Sequence, residues 1–250
     1  MVENIVDNYE HPNKSVTYIK ESFKGAGLSD DLFNDYFENV CGCIGERCNS
    51  VEQCYCLQTH GVAYESGLLK LEYLQGKQSV FECSRYCCCN LFCDNKVVQA
   101  GPNKQLYIRE VLNKGYGVFA STDFSVGTFI CEYAGEVIGR DEAQIRLKNS
   151  NYCKYVMQVI EHWQDTIIET FVDAYHASNI GRYLNHSCEP NCVVIPVRIG
   201  RLLPMLCFFT SKPVTVGEEL TYFYCPNSNV LSKMPCYCGS KQCLQFIPSA

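Results

Sequence analysis

No apolar stretch in this 250-residue chain approaches the ~20 residues that a membrane span needs. No apolar run follows a basic segment at its start, so a secretory signal is not expected. Lysine and arginine are nowhere clustered, and the net charge is −6 with a pI near 5.4. That argues against a phosphate-backbone partner and gives no sign of direct sequence-specific DNA recognition. A negative surface suits a basic partner such as a lysine-rich peptide, although the same charge also simply keeps a protein soluble. Helix chemistry is scarce too, being clear only over 141–149, which starts at Asp141 and runs through good helix formers. There is no internal repeat and no low-complexity segment. At 47% hydrophobic and 19% charged residues, the chain is otherwise an ordinary globular one, with material for one large core or two modest ones.

Cysteine is what the chain has in excess, at 19 residues. The number is odd, no signal precedes it, and eight cysteines fall in four Cys-x-Cys pairs too close to bridge each other well. Shared metal coordination in a reducing compartment therefore fits better than a secreted disulfide scaffold. With Cys88 set aside, the first region holds Cys41, Cys43, Cys48, Cys54 and Cys56, then Cys83, Cys87, Cys89 and Cys93. Nine thiolates satisfy three tetrahedral zincs if three of them bridge; two zincs with a spare thiol is the competing count. A segment so poor in continuous apolar sequence is expected to fold only through its metal. Near the end, Cys236, Cys238 and Cys243 form a set one ligand short of a tetrahedron, and Cys188 is the best candidate for the fourth. Cys131, Cys153 and Cys207 lie in strand patterns, where cysteine acts as a small hydrophobe; with Cys88, Cys192 and Cys225 they are assigned no role.

The chain divides into an N-terminal arm (1–40) with a strand-like run at 16–19, a cysteine-rich segment (41–96), a β-rich body (97–225) and a tail (226–250). Between the two cysteine groups, 57–82 reads as a loop that need not be regular. Short Val-, Ile-, Phe- and Tyr-rich strands are expected at 105–111, 116–121, 128–138, 152–160, 167–173, 192–199, 203–211 and 219–224. A short helix is possible at 178–184.

Several runs resemble the SET-domain protein lysine methyltransferases of the suppressor-of-variegation branch. They are Lys114-Gly115-Tyr116-Gly117, Glu132-Tyr133-Ala134-Gly135-Glu136, Gly181-Arg182-Tyr183-Leu184-Asn185-His186-Ser187-Cys188 and Gly217-Glu218-Glu219-Leu220-Thr221-Tyr222-Phe223-Tyr224. Residues 41–93 look like the branch's nine-cysteine, three-zinc pre-SET module, followed by Val97-Val98-Gln99. Phe81-Glu82-Cys83, Cys131 through Val137 and the Tyr at 222 are most similar to members fused to a mariner transposase. The likeness runs in order from about 40 to 247. It implies a mainly β fold with few short helices: the β-clip-like SET domain with its pseudoknot, plus zinc-bearing pre-SET and post-SET segments.

The resemblance also implies methyl transfer from S-adenosylmethionine to a lysine of the histone H3 tail, in nucleosomes, in the nucleus and on the chromosome. Tyr224 matches the central hydroxyl beside the methyl and the amine, and Tyr222 the Phe/Tyr switch that here favours mono- and dimethyl products. Tyr133 and Tyr152 match channel and cofactor-side positions. Lys114, Gly115 and Tyr116 fit a tight cofactor turn, although a plain hairpin carries the same glycines. Asn185 and His186 match the adenine-contacting pair, Arg182 its support, and Leu244 a cofactor contact from the tail, which with Gln245 would wall the lysine channel once zinc closes Cys236, Cys238 and Cys243 onto Cys188. Phe223 departs from the family's Asp; strand alternation points it away from Tyr222 and Tyr224. A module that binds histone tails with weak catalysis is the alternative this departure leaves.

Overall fold

Leu106–Val111 and Gly115–Ala120 form a hairpin in which Val111 pairs with Gly115. So tight a turn needs left-handed backbone, and Asn113 and Gly115 supply it with φ of 64° and 79°. This hairpin is half of a four-stranded sheet completed by Glu219–Tyr222 and Asn185–His186. A second sheet runs in the order Val80–Phe81, Cys192–Arg198, Met205–Thr210, Phe129–Glu132, and a third in the order Val156–Trp163, Thr166–Asp173, Glu136–Ile138, Phe23–Lys24. The computed structural model describes residues 9–34, 40–45, 47–75, 78–90, 92–149, 154–163, 166–225 and 231–248. Two apolar cores lie among the sheets. One is centred on Ile130, Phe208 and Leu220, and the other on Ile195, Phe209 and Val80, all at most 0% exposed.

The architecture is the mainly β one expected, and most strands fall within a residue or two of their anticipated bounds. The differences have local causes. The stretch 128–138 breaks into Phe129–Glu132 and Glu136–Ile138, which join different sheets. Gly135 sits in the break, where a Cβ would meet the Asp173 carbonyl oxygen at 2.4 Å. The strand expected at 152–160 runs Val156–Trp163 instead, and Tyr152 and Cys153 lie outside the described residues. The helix is Arg140–Leu147, and 178–184 contains a 3-10 turn, Ile180–Tyr183. The 57–82 segment is more regular than anticipated: the helix Tyr55–His60 enters it, followed by a Tyr64–Glu65/Leu68–Leu69 hairpin and the strand Val80–Phe81.

One buried carboxylate explains two of the sequence runs at once. Glu82 accepts from the Tyr64 hydroxyl at 2.7 Å, from the Val97 and Val98 amides at 2.9 and 2.8 Å, and from the Gln99 side chain at 2.8 Å. Phe81-Glu82-Cys83 and Val97-Val98-Gln99 are thus two halves of one hydrogen-bonded joint between the cysteine-rich segment and the β body. The Arg198 guanidinium, 0% exposed, is likewise held by both oxygens of Glu161 at 2.8 and 2.9 Å, which satisfies a charge that would be costly to bury alone.

Candidate active site and metal centres

The short strand Asn185–His186 pairs in parallel with Thr221 and Tyr222 of Glu219–Tyr222, and the Ser187 amide continues the ladder to the Tyr222 carbonyl at 3.0 Å. Two asparagines hold the segment in place. Asn179 accepts from the Gly181 amide at 2.8 Å and starts the 3-10 turn. Asn191 donates to Glu218 Oε1 and the Glu219 carbonyl at 2.8 and 2.9 Å and accepts from the Thr221 amide at 2.9 Å. The pairing brings residues from around 185 and around 222 side by side, as a pseudoknot requires.

Glu219 links this turn to the hairpin. Its carboxylate forms an ion pair with Lys114 and accepts from Asn185 Nδ2 at 2.8 Å, while the same amide donates to the Tyr116 carbonyl at 3.0 Å. There is no room here for a side chain on Gly117: a Cβ would lie 2.7 Å from Glu219 Oε1 and 3.1 Å from Asn185 Nδ2. Gly117→Ala is therefore expected to push Glu219 off Asn185. Overpacking and a lost charge-assisted bond each cost roughly 1–3 kcal/mol, so folding stability should fall by at least about 1 kcal/mol. Denaturant unfolding measures this, and an unchanged stability would mean that Glu219 keeps its place on Asn185.

Arg182 places its guanidinium carbon 4.0 Å from the centre of the Tyr155 ring and 5.4 Å from that of Tyr183, a cation–π arrangement. Its Nε is buried with no hydrogen-bond partner among the described residues. An orphaned buried donor in a polar turn fits a ligand that carries acceptors. His186 is buried, its Nδ1 accepts from the Tyr224 amide at 3.3 Å, and burial followed by the Lys114 charge holds its pKa down near about 4.

Beyond this turn stands a cluster of aromatic rings. Tyr222 lies 4.7 Å from Tyr224 and 4.8 Å from Phe208, and Phe208 lies 6.1 Å from Tyr133. The Tyr224 hydroxyl donates to the Leu184 carbonyl at 3.2 Å, and that of Tyr133 to the Tyr155 carbonyl at 2.7 Å. Burial raises the phenol pKa of Tyr133, Tyr222 and Tyr224, so all three stay neutral hydroxyls that donate and accept hydrogen bonds rather than acting as bases.

Tyr155 was not among the residues singled out from the sequence, although it packs against the same core and carries Arg182 on its ring. The signal was present in the strand's period of two. Met157 is buried and Val159 half-buried against the core, so Tyr155 shares their inward face.

The nine cysteines of the first region are all buried and pack as one cluster. Their sulfurs form interleaved groups of four, namely Cys41/Cys43/Cys48/Cys54, Cys41/Cys54/Cys56/Cys83 and Cys41/Cys48/Cys83/Cys89, each within 4.8 Å of one another. Cys87 Sγ lies 3.6 Å from that of Cys56, and Cys93 Sγ accepts from the Asn95 amide at 3.4 Å. Every described cysteine is free of disulfides. Cys88 is exposed, outside these groups. A fourth group joins Cys188 to Cys236, Cys238 and Cys243, again within 4.8 Å. Cys188 Sγ is 3.9 Å from that of Cys236, and zinc–sulfur bonds of ≈ 2.3 Å place tetrahedral sulfurs about 3.8 Å apart. The Leu244 amide donates to Cys188 at 3.3 Å and the Gln245 amide to Cys243 at 3.4 Å, which suits thiolates. Leu244 itself remains 43% exposed beside the turn. The strand Glu219–Tyr222 ends before Phe223, so the expected alternation does not reach it: Phe223 stands edge-on to His186 at 5.0 Å, and Tyr224 meets the same ring at 5.3 Å.

Residues 1–96 match the Pre-SET motif and residues 115–225 the SET domain. Histone-lysine N-methyltransferase SETMAR of Mus musculus is 39% identical, over 94% of this chain and 81% of that protein. The solved methyltransferase domain of human SETMAR superposes with a TM-score of 0.80 at 34% identity, over 94% of this chain and 89% of that one. Histone-lysine N-methyltransferase Su(var)3-9 of Drosophila melanogaster is 35% identical, over 81% of this chain and 34% of that protein. KRYPTONITE, solved with mCHH DNA, an H3(1–15) peptide and SAH, superposes with a TM-score of 0.74 at 25% identity, over 98% of this chain and 50% of that one.

Proposed function

Since the chain belongs to the SET-domain histone-lysine N-methyltransferases and so uses S-adenosylmethionine, we propose that Lys114–Tyr116, Arg182 and Asn185–His186 hold that cofactor and that the tyrosine cluster receives the lysine. The observation that carries this is the parallel pairing of Asn185–His186 with Thr221–Tyr222, which puts the cofactor turn against the Tyr222–Tyr224 pair. When bound, S-adenosylmethionine supplies a methyl group on a positively charged sulfur.

The residues of this chain do the rest. A lysine amine attacks only after losing its proton, and holding it neutral at pH 7 against a reference pKa near 10.4 costs about 4–5 kcal/mol. Phe208, Tyr133, Tyr155 and Tyr222 wall off water and penalise the ammonium form. Tyr224, its hydroxyl fixed by the Leu184 carbonyl, orients the amine for in-line attack. The Tyr222 hydroxyl takes up channel space or holds a water, so transfer stops at mono- and dimethyl-lysine. Tyr222→Phe is expected to shift the product toward trimethyl-lysine with the rate changed by less than about tenfold. Mass spectrometry of a methylated histone peptide reads the outcome, and a product distribution equal to that of the unmodified protein would remove Tyr222 from product control.

The substrate we favour is a lysine of the H3 tail in nucleosomes, supported by the −6 net charge and by the H3(1–15) peptide bound to KRYPTONITE. That substrate implies a protein that works on chromosomes in the nucleus. The nine-cysteine cluster takes three zincs, with bridging sulfurs as its shared groups suggest, and Cys188/Cys236/Cys238/Cys243 takes one. On this reading the chain divides into an arm at 1–40, pre-SET at 41–96, SET at 97–225 and post-SET at 226–250, with the arm inside the span that matches the Pre-SET motif. Phe223 is the single observation favouring a weakly catalytic histone-binding module, and the intact Tyr224, Asn185, His186 and Cys188 oppose it. Labelled methyl transfer onto recombinant nucleosomes, mapped by mass spectrometry, tests the proposal: labelled H3 lysine supports it, and cofactor binding without turnover on any histone supports the alternative.

A further inference from the structure

Tyr183 ends the 3-10 turn Ile180–Tyr183 that leads into Asn185–His186. It is 8% exposed, so its hydroxyl needs a partner inside the protein. That partner comes from the arm. His11 Nδ1 lies 2.9 Å from the Tyr183 hydroxyl, and His11 Nε2 lies 2.9 Å from the Ser178 carbonyl. The carbonyl can only accept, so Nε2 carries the proton and Nδ1 accepts from Tyr183. His11 is itself 7% exposed, between the rings of Tyr183 at 5.6 Å and Tyr18 at 5.8 Å. The arm reaches this place in a fixed register, because Thr17 and Tyr18 pair in parallel with Ala177 and Ser178. On its other side, the Tyr183 ring meets Tyr116 edge-on at 6.2 Å and neighbours the Arg182 guanidinium.

We propose that His11 is a positioning residue for cofactor binding. Through the Tyr183 hydroxyl it fixes the ring against which Tyr116 and Arg182 are set, so the arm acts as part of the cofactor site and not merely as a wrapping for the body. The proposal rests on the cofactor reading above. It treats Tyr183 and His11 as one unit: the buried Tyr183 hydroxyl is tolerable because the arm satisfies it.

A double-mutant cycle on the full chain tests this, with S-adenosylhomocysteine affinity as the readout. His11→Leu, which strands the Tyr183 hydroxyl, is expected to weaken affinity about tenfold in the unmodified background. In a Tyr183→Phe background the same change is expected to cost less than about twofold, because no hydroxyl is left to strand. Tyr9→Phe provides the control. It cuts a different arm anchor, in which the Tyr9 hydroxyl donates to the Asn103 carbonyl and accepts from the Leu106 amide at 3.1 Å, and should leave affinity within about twofold. Equal losses from His11→Leu in both backgrounds, no loss in either, or a comparable loss from Tyr9→Phe would overturn the proposal. If His11→Leu does not fold, His11→Asn takes its place in the cycle with the same criteria. Failure of the unmodified protein to bind S-adenosylhomocysteine overturns the cofactor reading, and this one with it; binding with an uncoupled cycle overturns only this one.

Discussion

Tyr224→Phe is expected to lower methyl transfer at least about a hundredfold while leaving cofactor affinity within about twofold. The substitution removes one oxygen and keeps the ring, so the packing on Tyr222 at 4.7 Å and on His186 at 5.3 Å survives. What disappears is the hydroxyl fixed by the Leu184 carbonyl. Leu184 directly precedes Asn185, so this bond ties the reacting end of the channel to the cofactor turn. An amine that has lost its orienting partner samples many unproductive directions, and the penalty falls on the chemical step. Single-turnover transfer to a histone peptide, paired with calorimetry using S-adenosylhomocysteine, separates the two effects. Transfer at the unmodified rate would remove Tyr224 from the mechanism, and a large loss of affinity would recast it as a cofactor-binding residue.

Cys243→Ser is expected to abolish activity, release one zinc of four and leave the rest of the chain folded. The described tail contains a single strand pair, Leu231–Pro235 with Phe246–Pro248, and Met234, Tyr237, Leu244 and Phe246 are each more than 40% exposed. With so little apolar burial to hold it, a tail held by the proposed zinc would depend on metal binding, which is worth about 10–16 kcal/mol at a structural zinc site. Serine is a poor zinc ligand, so most of that stabilisation is lost. Leu244 and Gln245, whose amides are fixed by Cys188 and Cys243 sulfurs, would then leave the cofactor turn. Elemental analysis should fall from four zincs to three, and hydrogen exchange should rise over 231–248 alone. Retained activity, or exchange rising throughout the SET sheets, would contradict this account of the tail.

The parts of this fold legible in the sequence were those governed by short-range chemistry. Runs rich in Val, Ile, Phe and Tyr between turn residues placed most strands from 105 to 222 within a few residues, Phe129–Glu132 and Met205–Thr210 being buried almost throughout. Ligand spacing separated a nine-sulfur group from an incomplete trio. Structure decided by distant contacts was not legible. Phe23–Lys24 is a two-residue strand whose only warrant is parallel pairing with Glu136–Val137, and no local pattern announces so short an element. Gly135 reads as a strand residue until the Asp173 carbonyl is seen against it. Tyr155 was overlooked in favour of Tyr152, since motif likeness pointed to one tyrosine while strand phase pointed to the other. Which sulfurs share neighbours in the cysteine cluster depends on how two loops fold over each other, and spacing carries no record of that.

The Glu82 joint bears on how the chain can be taken apart. A boundary drawn between cysteine-rich segment and catalytic body at about residue 96 passes between the carboxylate and three of its four donors, which lie on Val97, Val98 and Gln99. The strand Val80–Phe81 crosses the same line, lying as an edge of the sheet that contains Cys192–Arg198. The two parts are therefore not exchangeable modules. A chimera spliced there would part the carboxylate from Val97, Val98 and Gln99, and any block that keeps the joint whole must carry Tyr64 and the strand Cys192–Arg198 as well as residues 80–99.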